Sequence, residues 1–151
     1  MTATNHALTG AVIALIVKQP ALAIPFAFVS HFVLDAIPHF DASKASVKFA
    51  RAAIFTDILV AGCLAFGLSI VLRDRVSGWL ILAASVACMS PDLVWGVRYY
   101  KFRDFKKIIS EPMSKFTKLH QKIQWSESLQ GIIVEFVWFA LMLVLVINTG
   151  N

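Results

Sequence analysis

Two histidines and two carboxylates fall close together at positions 31–41, at the end of an apolar stretch that begins after residue 20. His31 and Asp35 are four residues apart, so on an α-helix their side chains share one face. Pro38 cannot continue a helix and disfavours helical backbone in the residue before it, so the chain turns there. His39 and Asp41 then lie on the exit loop and can fold back over that face. Histidine nitrogens with carboxylate oxygens suit a divalent metal, so we predict a metal site at this turn.

The composition indicates a membrane protein. Hydrophobic residues make up 58% of the 151 residues and charged residues only 15%, well outside the composition of soluble domains. The net charge of +5 suggests nucleic-acid binding at first. The lysines and arginines gather in two loops, however, as the positive-inside rule expects, so we predict no nucleic-acid partner. Both cysteines lie in apolar segments, which favours buried thiols over a disulfide.

The apolar stretches predict an all-α, polytopic helical membrane protein that forms a single domain over residues 1–151. About five membrane helices are expected, at about 3–17, 20–37, 52–72, 78–98 and 128–148. The first helix is short, because its apolar run of about a dozen residues covers roughly 18 Å of a ~30 Å hydrocarbon core. Residues 99–126 place apolar residues at helical spacing opposite lysines, which predicts amphipathic segments lying in the membrane interface.

The basic loops predict the orientation in the membrane. Residues 42–51 and 98–127 are richest in lysine and arginine and lie on the same side of the third and fourth helices, which makes that side cytoplasmic. The N-terminus is then inside and the C-terminus outside. On this map the ionisable residues that gather in the cytoplasmic leaflet are His6, His31, Asp35, His39, Asp41, Asp57, Asp92, His120 and Glu135. Such groups are costly in a bilayer and usually mark a function, and a divalent cation removes the repulsion between the carboxylates.

These polar residues also resemble a known pattern. The pattern consists of NHxxxG at 5–10, SHxxxDxxPHxD at 30–41, the pair Pro91-Asp92 and the later helical His120. It resembles the small bacterial inner-membrane proteins known as membrane-bound metal-dependent hydrolases, over most of the chain. The resemblance implies a helical membrane fold, a metal site at the cytoplasmic face and a hydrolase activity. The metal ligands that it implies are His6, His31, Asp35, His39, Asp41 and Asp92, to which the predicted topology adds His120.

The function predicted on this basis is that of a membrane-embedded hydrolase acting at the cytoplasmic face of a bacterial inner membrane. One or two divalent ions, with zinc as the first choice and manganese or iron as alternatives, activate a water that attacks a lipid ester or phosphoester. Asp35, Asp57 or Glu135 takes the proton as the catalytic carboxylate. Basic residues at headgroup depth make membrane lipid the expected partner, and a homo-oligomer remains open.

Other interpretations of the same residues remain open. The first alternative is a metal-binding membrane protein without enzymatic activity, either an ion carrier or a metal-stabilised scaffold, although a carrier needs polar residues in the outer leaflet, where there are few. The second alternative is an assembly partner whose acids pair with its own lysines. At single positions, His31 and Asp35 can form a simple helix-stabilising pair. Asp92 can cap a helix, and His120 can be a packing residue.

Overall fold

The computed structural model describes residues 1–40, 47–102, 108, 110–128 and 130–149. Within these ranges the chain is all-helical and contains no strand, which confirms the predicted fold class. A 3₁₀ turn at Ser90–Asp92 joins the fourth helix to the fifth. The helices are α1 (Ala3–Val17), α2 (Pro20–Ala36), α3 (Val47–Val71), α4 (Gly78–Met89), α5 (Leu93–Phe102), α6 (Lys115–Ile123) and α7 (Gly131–Asn148).

Within the described ranges, three helical segments are long and apolar enough to cross a membrane. They are Phe49–Val71, Gly78–Arg98 and Gly131–Asn148, of which the second runs from α4 through the 3₁₀ turn into α5. Large apolar side chains such as Phe55, Val71 and Phe136 are exposed on their outer surfaces. An apolar exterior of this extent is suited to lipid and would be a liability in water.

The short helix α1 lies at the centre of the bundle. It packs against α2, α3, α4 and α7, and most of its length is buried, as expected for a helix that is apolar all round. The contact with α4 is close: a Cβ on Gly10 would lie 2.4 Å from the Ala84 carbonyl oxygen. The Ser85 hydroxyl donates a hydrogen bond of 2.8 Å to the Ala7 carbonyl across the same contact. Protein thus surrounds the helix that is too short to cross a membrane alone.

The ends of α2 follow from its prolines. Pro20 occupies the first turn, where its missing N–H costs no hydrogen bond. At the other end Ile37 is extended, with φ −80° and ψ 147°, because Pro38 disfavours helical backbone in the residue before it. The predicted exit from the helix at this point is therefore found. It leaves His31 and Asp35 in the last two turns of α2.

Two helix starts differ from the predicted positions. Helix α3 begins at Val47, five residues before the predicted start, and α7 begins at Gly131 instead of 128. The early start of α3 includes Lys48 and Arg51, which were assigned to a loop because of their charge. Lysine and arginine have high helix propensity, however, so their charge does not end a helix where it reaches the membrane surface.

The predicted interfacial segment 99–126 is divided into separate parts. Its beginning belongs to α5 and its end contains the amphipathic helix α6. Between them the Arg98 guanidinium donates hydrogen bonds to three backbone carbonyls, those of Ile108, Glu111 and Pro112. This side chain therefore holds the connection that leads from α5 to α6.

Candidate metal centre

Three separate parts of the chain bring four potential metal ligands together. The end of α2 supplies His31 and Asp35, the 3₁₀ turn after α4 supplies Asp92, and α6 supplies His120. Each residue offers one ligand atom, and these four atoms all lie within 4.8 Å of one another. We call these four residues the His/Asp cluster. All four were predicted metal ligands, and the structure brings them to one place.

The distances within the His/Asp cluster fit a small tetrahedral site. His31 Nε2 lies 3.0 Å from His120 Nε2, and these two nitrogens lie 3.1 and 3.0 Å from Asp35 Oδ2. Asp92 Oδ1 lies 3.6 Å from His31 Nε2 and 3.5 Å from His120 Nε2. Zinc bond lengths place the ligand atoms of a tetrahedral site about 3.3–3.6 Å apart. The four side chains therefore need only small movements to hold such an ion.

The hydrogen bonding of His31 favours a cation at the centre of the cluster. His31 Nδ1 lies 2.7 Å from the Cys88 carbonyl oxygen. A carbonyl oxygen only accepts, so Nδ1 is the donor, and in its neutral form the ring presents the lone pair of Nε2 to the other potential ligands. That lone pair faces two carboxylate oxygens and a second imidazole nitrogen. A metal ion is a simple way to hold these electron-rich atoms together, and an N–H···O=C bond from the far side of the ring is typical of histidine ligands.

Asp35 connects the cluster to its surroundings. Its side chain is fully buried, and Oδ2, which faces His31 and His120, also accepts a 3.0 Å hydrogen bond from the Gln124 amide. The other oxygen, Oδ1, lies 3.1 Å from His6 Nε2 and 2.6 Å from the amino nitrogen of Met1. Every one of these contacts holds the carboxylate in a fixed orientation. Asp35 is therefore a potential ligand whose orientation is fixed by contacts to both of its oxygens.

Asp92 differs from the other members of the cluster in its exposure. The side chains of His31, Asp35 and His120 are 0% exposed, whereas that of Asp92 is 34% exposed. Its position follows from Pro91, which breaks the α4 helix into the 3₁₀ turn and so aims the next side chain at the cluster. The cluster therefore reaches the protein surface at Asp92.

Helix α6 supplies His120, the last member of the His/Asp cluster. Ser114 caps its first turn, because the Ser114 hydroxyl accepts a hydrogen bond of 3.1 Å from the Thr117 amide. The His120 ring then packs among Phe32, Trp95 and Phe116, with ring centroids 5.6–6.2 Å apart. Among the described residues its Nδ1 has no hydrogen-bond partner. Aromatic packing therefore orients this imidazole, whereas a backbone carbonyl orients His31.

His6, a predicted ligand, lies beside the cluster instead of within it. Its ring stacks on His31 with centroids 4.1 Å apart and an interplanar angle of 22°. Its Nε2 contacts Asp35 Oδ1, the oxygen that faces away from His31 and His120. In this arrangement His6 supports two ligands through stacking and hydrogen bonding.

His39, another predicted ligand, has a different environment. Its Nδ1 lies 2.8 Å from the Ile37 carbonyl, and its Nε2 lies 3.8 Å from Glu127 Oε1. Its own carbonyl accepts a 2.9 Å hydrogen bond from the Ser128 amide, and Gly131 packs directly against its backbone. His39 thus joins the exit of α2 to the segment before α7, and the structure does not bring it to the cluster. Asp41, the remaining predicted ligand, lies outside the described residues.

Asp57 and Glu135, the predicted catalytic carboxylates besides Asp35, lie at the N-terminal end of α1. Both oxygens of Asp57 accept backbone hydrogen bonds, of 2.6 Å from the Ala3 amide and 3.1 Å from the Thr4 amide. Glu135 accepts hydrogen bonds of 2.9 and 3.1 Å from the Thr2 amide. The first amides of any helix lack partners within it, and negative charge is favourable there. The structure therefore gives both carboxylates the position of helix caps that come from other helices.

Gln124 is a side chain at the site that the sequence analysis did not identify. Gln124 donates to the same Asp35 oxygen that faces the imidazoles. The available signal was its spacing, since Gln124 follows His120 by four residues and so continues the inner face of α6.

The chain was also compared with known proteins. No family model, no curated protein and no solved structure matches it. Any statement about its function therefore rests on the residues described above.

Proposed function

We propose that the protein is a membrane-embedded, metal-dependent hydrolase that acts on an ester or phosphoester of a membrane lipid. The observation that carries this proposal is the His/Asp cluster, four ligand atoms within 4.8 Å of one another. The cluster includes Asp92, in the segment Gly78–Arg98, which is long and apolar enough to cross a membrane. A reaction centre in that position suits a substrate that is itself part of the membrane.

Three residues of the cluster bind the metal, and the fourth, Asp92, takes part in the reaction. When bound, a divalent metal supplies Lewis-acid activation of water and of the scissile ester. The buried His31, Asp35 and His120 hold it, and their outer contacts keep them in place. Asp92 is the half-exposed carboxylate, so it can accept the proton that water loses as the water oxygen bonds to the ester phosphorus or carbonyl carbon. The same proton then passes to the departing alkoxide oxygen.

This proposal moves the proton-accepting role from the predicted carboxylates to Asp92. Asp35 is enclosed by donors, and the oxygens of Asp57 and Glu135 are engaged with the amides of α1. Asp92 alone among the four cluster residues combines exposure with a place 3.5–3.6 Å from both imidazole nitrogens. Zinc, the predicted metal, suits the ligand set, and manganese or iron would accept the same donors.

The compartment belongs to the same proposal. The basic residues at positions 42–51 and 98–127 support a cytoplasmic placement of the cluster, in a bacterial inner membrane with the N-terminus inside. This placement gives the hydrolase access to the inner leaflet.

A metal-stabilised scaffold is the second candidate, and a specific observation favours it. The chain offers four ligand atoms, which is the full number for a tetrahedral zinc site, and structural zinc sites are closed in this way. The two candidates differ in the role of Asp92. In a scaffold it is a permanent ligand, whereas in a hydrolase it leaves room for water and its removal abolishes turnover while three ligands still bind metal.

The first test is metal content, measured by mass spectrometry on protein purified in detergent without chelator. We expect stoichiometric metal in the wild type and its loss in the His31→Ala, Asp35→Ala double variant. His39→Ala is the matched control, because it removes a buried histidine outside the cluster, and it should keep the metal. A wild type without metal would contradict both candidates.

The second test separates the hydrolase from the scaffold. Asp92→Asn keeps the size of the side chain and an oxygen but cannot accept the proton. We expect it to retain metal while losing about a hundredfold or more of lipid phosphoester or ester hydrolysis, the usual range for a general base. Metal-loaded wild-type protein that hydrolyses neither ester class in mixed micelles would leave the scaffold in place of the hydrolase.

A further inference from the structure

Helix α6 has an outer surface that the metal centre does not use. Thr117 and His120 are buried against the bundle. With successive residues about 100° apart around a helix, Phe116, Leu119 and Ile123 form a neighbouring apolar flank. Phe116 is 41% exposed and Leu119 is 56% exposed. This apolar flank is therefore partly exposed, although the Phe116 ring also contacts His120.

A basic stripe lies on the remaining side of α6. Lys115, Lys118 and Lys122 follow one another at helical spacing, and all are exposed. Trp125, just beyond the helix, is 76% exposed. A helix with an apolar flank beside a row of lysines, followed by an exposed tryptophan, has the pattern of helices that lie in the membrane interface.

The surrounding chain keeps α6 at the level of the membrane surface. It follows the segment Gly78–Arg98 and precedes Gly131–Asn148, so it connects the same-side ends of two segments that can cross a membrane. Its inner face is attached to the end of α2, because His120 and Gln124 both contact Asp35. The apolar flank and the lysines therefore stay close to the lipid headgroups.

We propose that the outer surface of α6, formed by Phe116, Leu119, Lys115, Lys118 and Lys122, is a binding surface for anionic phospholipid headgroups. The apolar flank enters the boundary between headgroups and acyl chains, and the lysines pair with the phosphates. Charge complementarity selects this occupant, since the exposed basic stripe has the sign opposite to that of an anionic leaflet. The inference goes beyond the hydrolase proposal, and its test needs neither metal nor turnover.

The experiment measures contact with each lipid at defined positions of the full chain. A bimane fluorophore is attached at Leu119→Cys or at Gln121→Cys, in a Cys63→Ala background that removes the exposed native cysteine and keeps the buried Cys88. The protein is reconstituted into bilayers of phosphatidylcholine and phosphatidylglycerol in which one lipid or the other is brominated. Quenching then reports which lipid lies next to the fluorophore.

The quenching should differ between the two labelled positions and between the two lipids. Position 119 should be quenched at least several-fold more than position 121, which points away from the apolar flank. Brominated phosphatidylglycerol should associate more strongly than phosphatidylcholine, by about fivefold for each lysine that pairs with a headgroup. Changing Lys115, Lys118 and Lys122 to glutamine should bring this ratio close to one, whereas changing all three to arginine should preserve it.

A salt test checks the proposal even if the lysine variants fail to fold. In the labelled protein that keeps all three lysines, 1 M NaCl should lower the phosphatidylglycerol preference, because salt screens exposed charges. Equal association of the two lipids at low salt would overturn the proposal. Absence of quenching at position 119 would overturn it as well, and would assign this surface to water, to a second copy of the chain or to another protein.

Discussion

Replacement of Asp57 by alanine is the most informative single change, because it distinguishes a helix cap from a catalytic base. The carboxylate accepts hydrogen bonds from the amides of Ala3 and Thr4 and from the Thr4 hydroxyl. Alanine leaves both amides without this acceptor at a part-buried site, and the Thr4 hydroxyl keeps only its 3.5 Å contact with the carbonyl of residue 57. We expect the folded protein to lose stability while its metal content stays unchanged, since Asp57 does not belong to the His/Asp cluster.

The magnitude follows from the groups that lose their acceptor. A donor left unsatisfied costs about 1–3 kcal/mol, a lost helix cap alone costs about 1 kcal/mol, and the lost charge at the helix N-terminus adds about 0.3–1 kcal/mol. Water reaches part of the site, so we take about 3 kcal/mol for the sum. For a chain of this size that lowers the unfolding midpoint by about 6–12 °C.

The assay is thermal unfolding in detergent, followed by tryptophan fluorescence, with metal content measured on the same samples. Asp74→Ala is the control, because it removes an exposed turn carboxylate and should change the stability by less than about 0.5 kcal/mol. The reasoning would be refuted if Asp57→Ala kept the wild-type midpoint and lost hydrolysis. That result would return Asp57 to the catalytic role that its leaflet position first suggested.

Three further changes test other parts of the structure in the same thermal assay. Zinc at a hundred times its dissociation constant should stabilise the wild type by about 2.7 kcal/mol, and the His31→Ala variant should show no such gain. Gly131→Ala places a Cβ 2.0 Å from the His39 carbonyl carbon and should destabilise by about 1–3 kcal/mol, whereas Gly62→Ala meets nothing within 4 Å and should be neutral or slightly stabilising. Lys18 directly follows α1 and has a left-handed backbone with φ 56°. Glycine adopts this conformation without strain, so Lys18→Gly should stabilise the protein by about 1 kcal/mol. A destabilised variant would show that the lysine side chain has a structural role.

Much of the cluster could be predicted because its ligands follow local rules. The pair His31 and Asp35 needed only helical spacing, and Pro38 fixed the place where the helix ends. Asp92 and His120 are far from that pair in sequence, and they were predicted because the topology put all of them at one side of the membrane. That argument uses only the depth of a residue in the membrane. It identified Asp92 and His120 correctly because their side chains also face the cluster.

The same argument could not separate residues that share a depth but differ in direction. Asp57 and Glu135 were predicted to share the depth of the cluster, yet they face the first amides of α1 instead of the cluster. Their positions depend on how α3 and α7 are rotated about their axes, and on which amides of α1 remain unpaired. His39 was misplaced for a related reason, since a backbone pairing with the segment before α7 decides the path of its loop. Such tertiary contacts leave no periodic signal in the sequence.

The caps of α1 also have a consequence for how this chain is made. Thr2 and Glu135 are 133 residues apart, so α1 receives part of its hydrogen bonding from α7, which leaves the ribosome much later than α1. An unpaired amide in hydrocarbon costs several kcal/mol, so α1 is expected to wait near the bilayer surface during translation. It would then enter the bundle as a late step of assembly, once α3 and α7 are both in the membrane. The order of insertion would therefore differ from the order of synthesis.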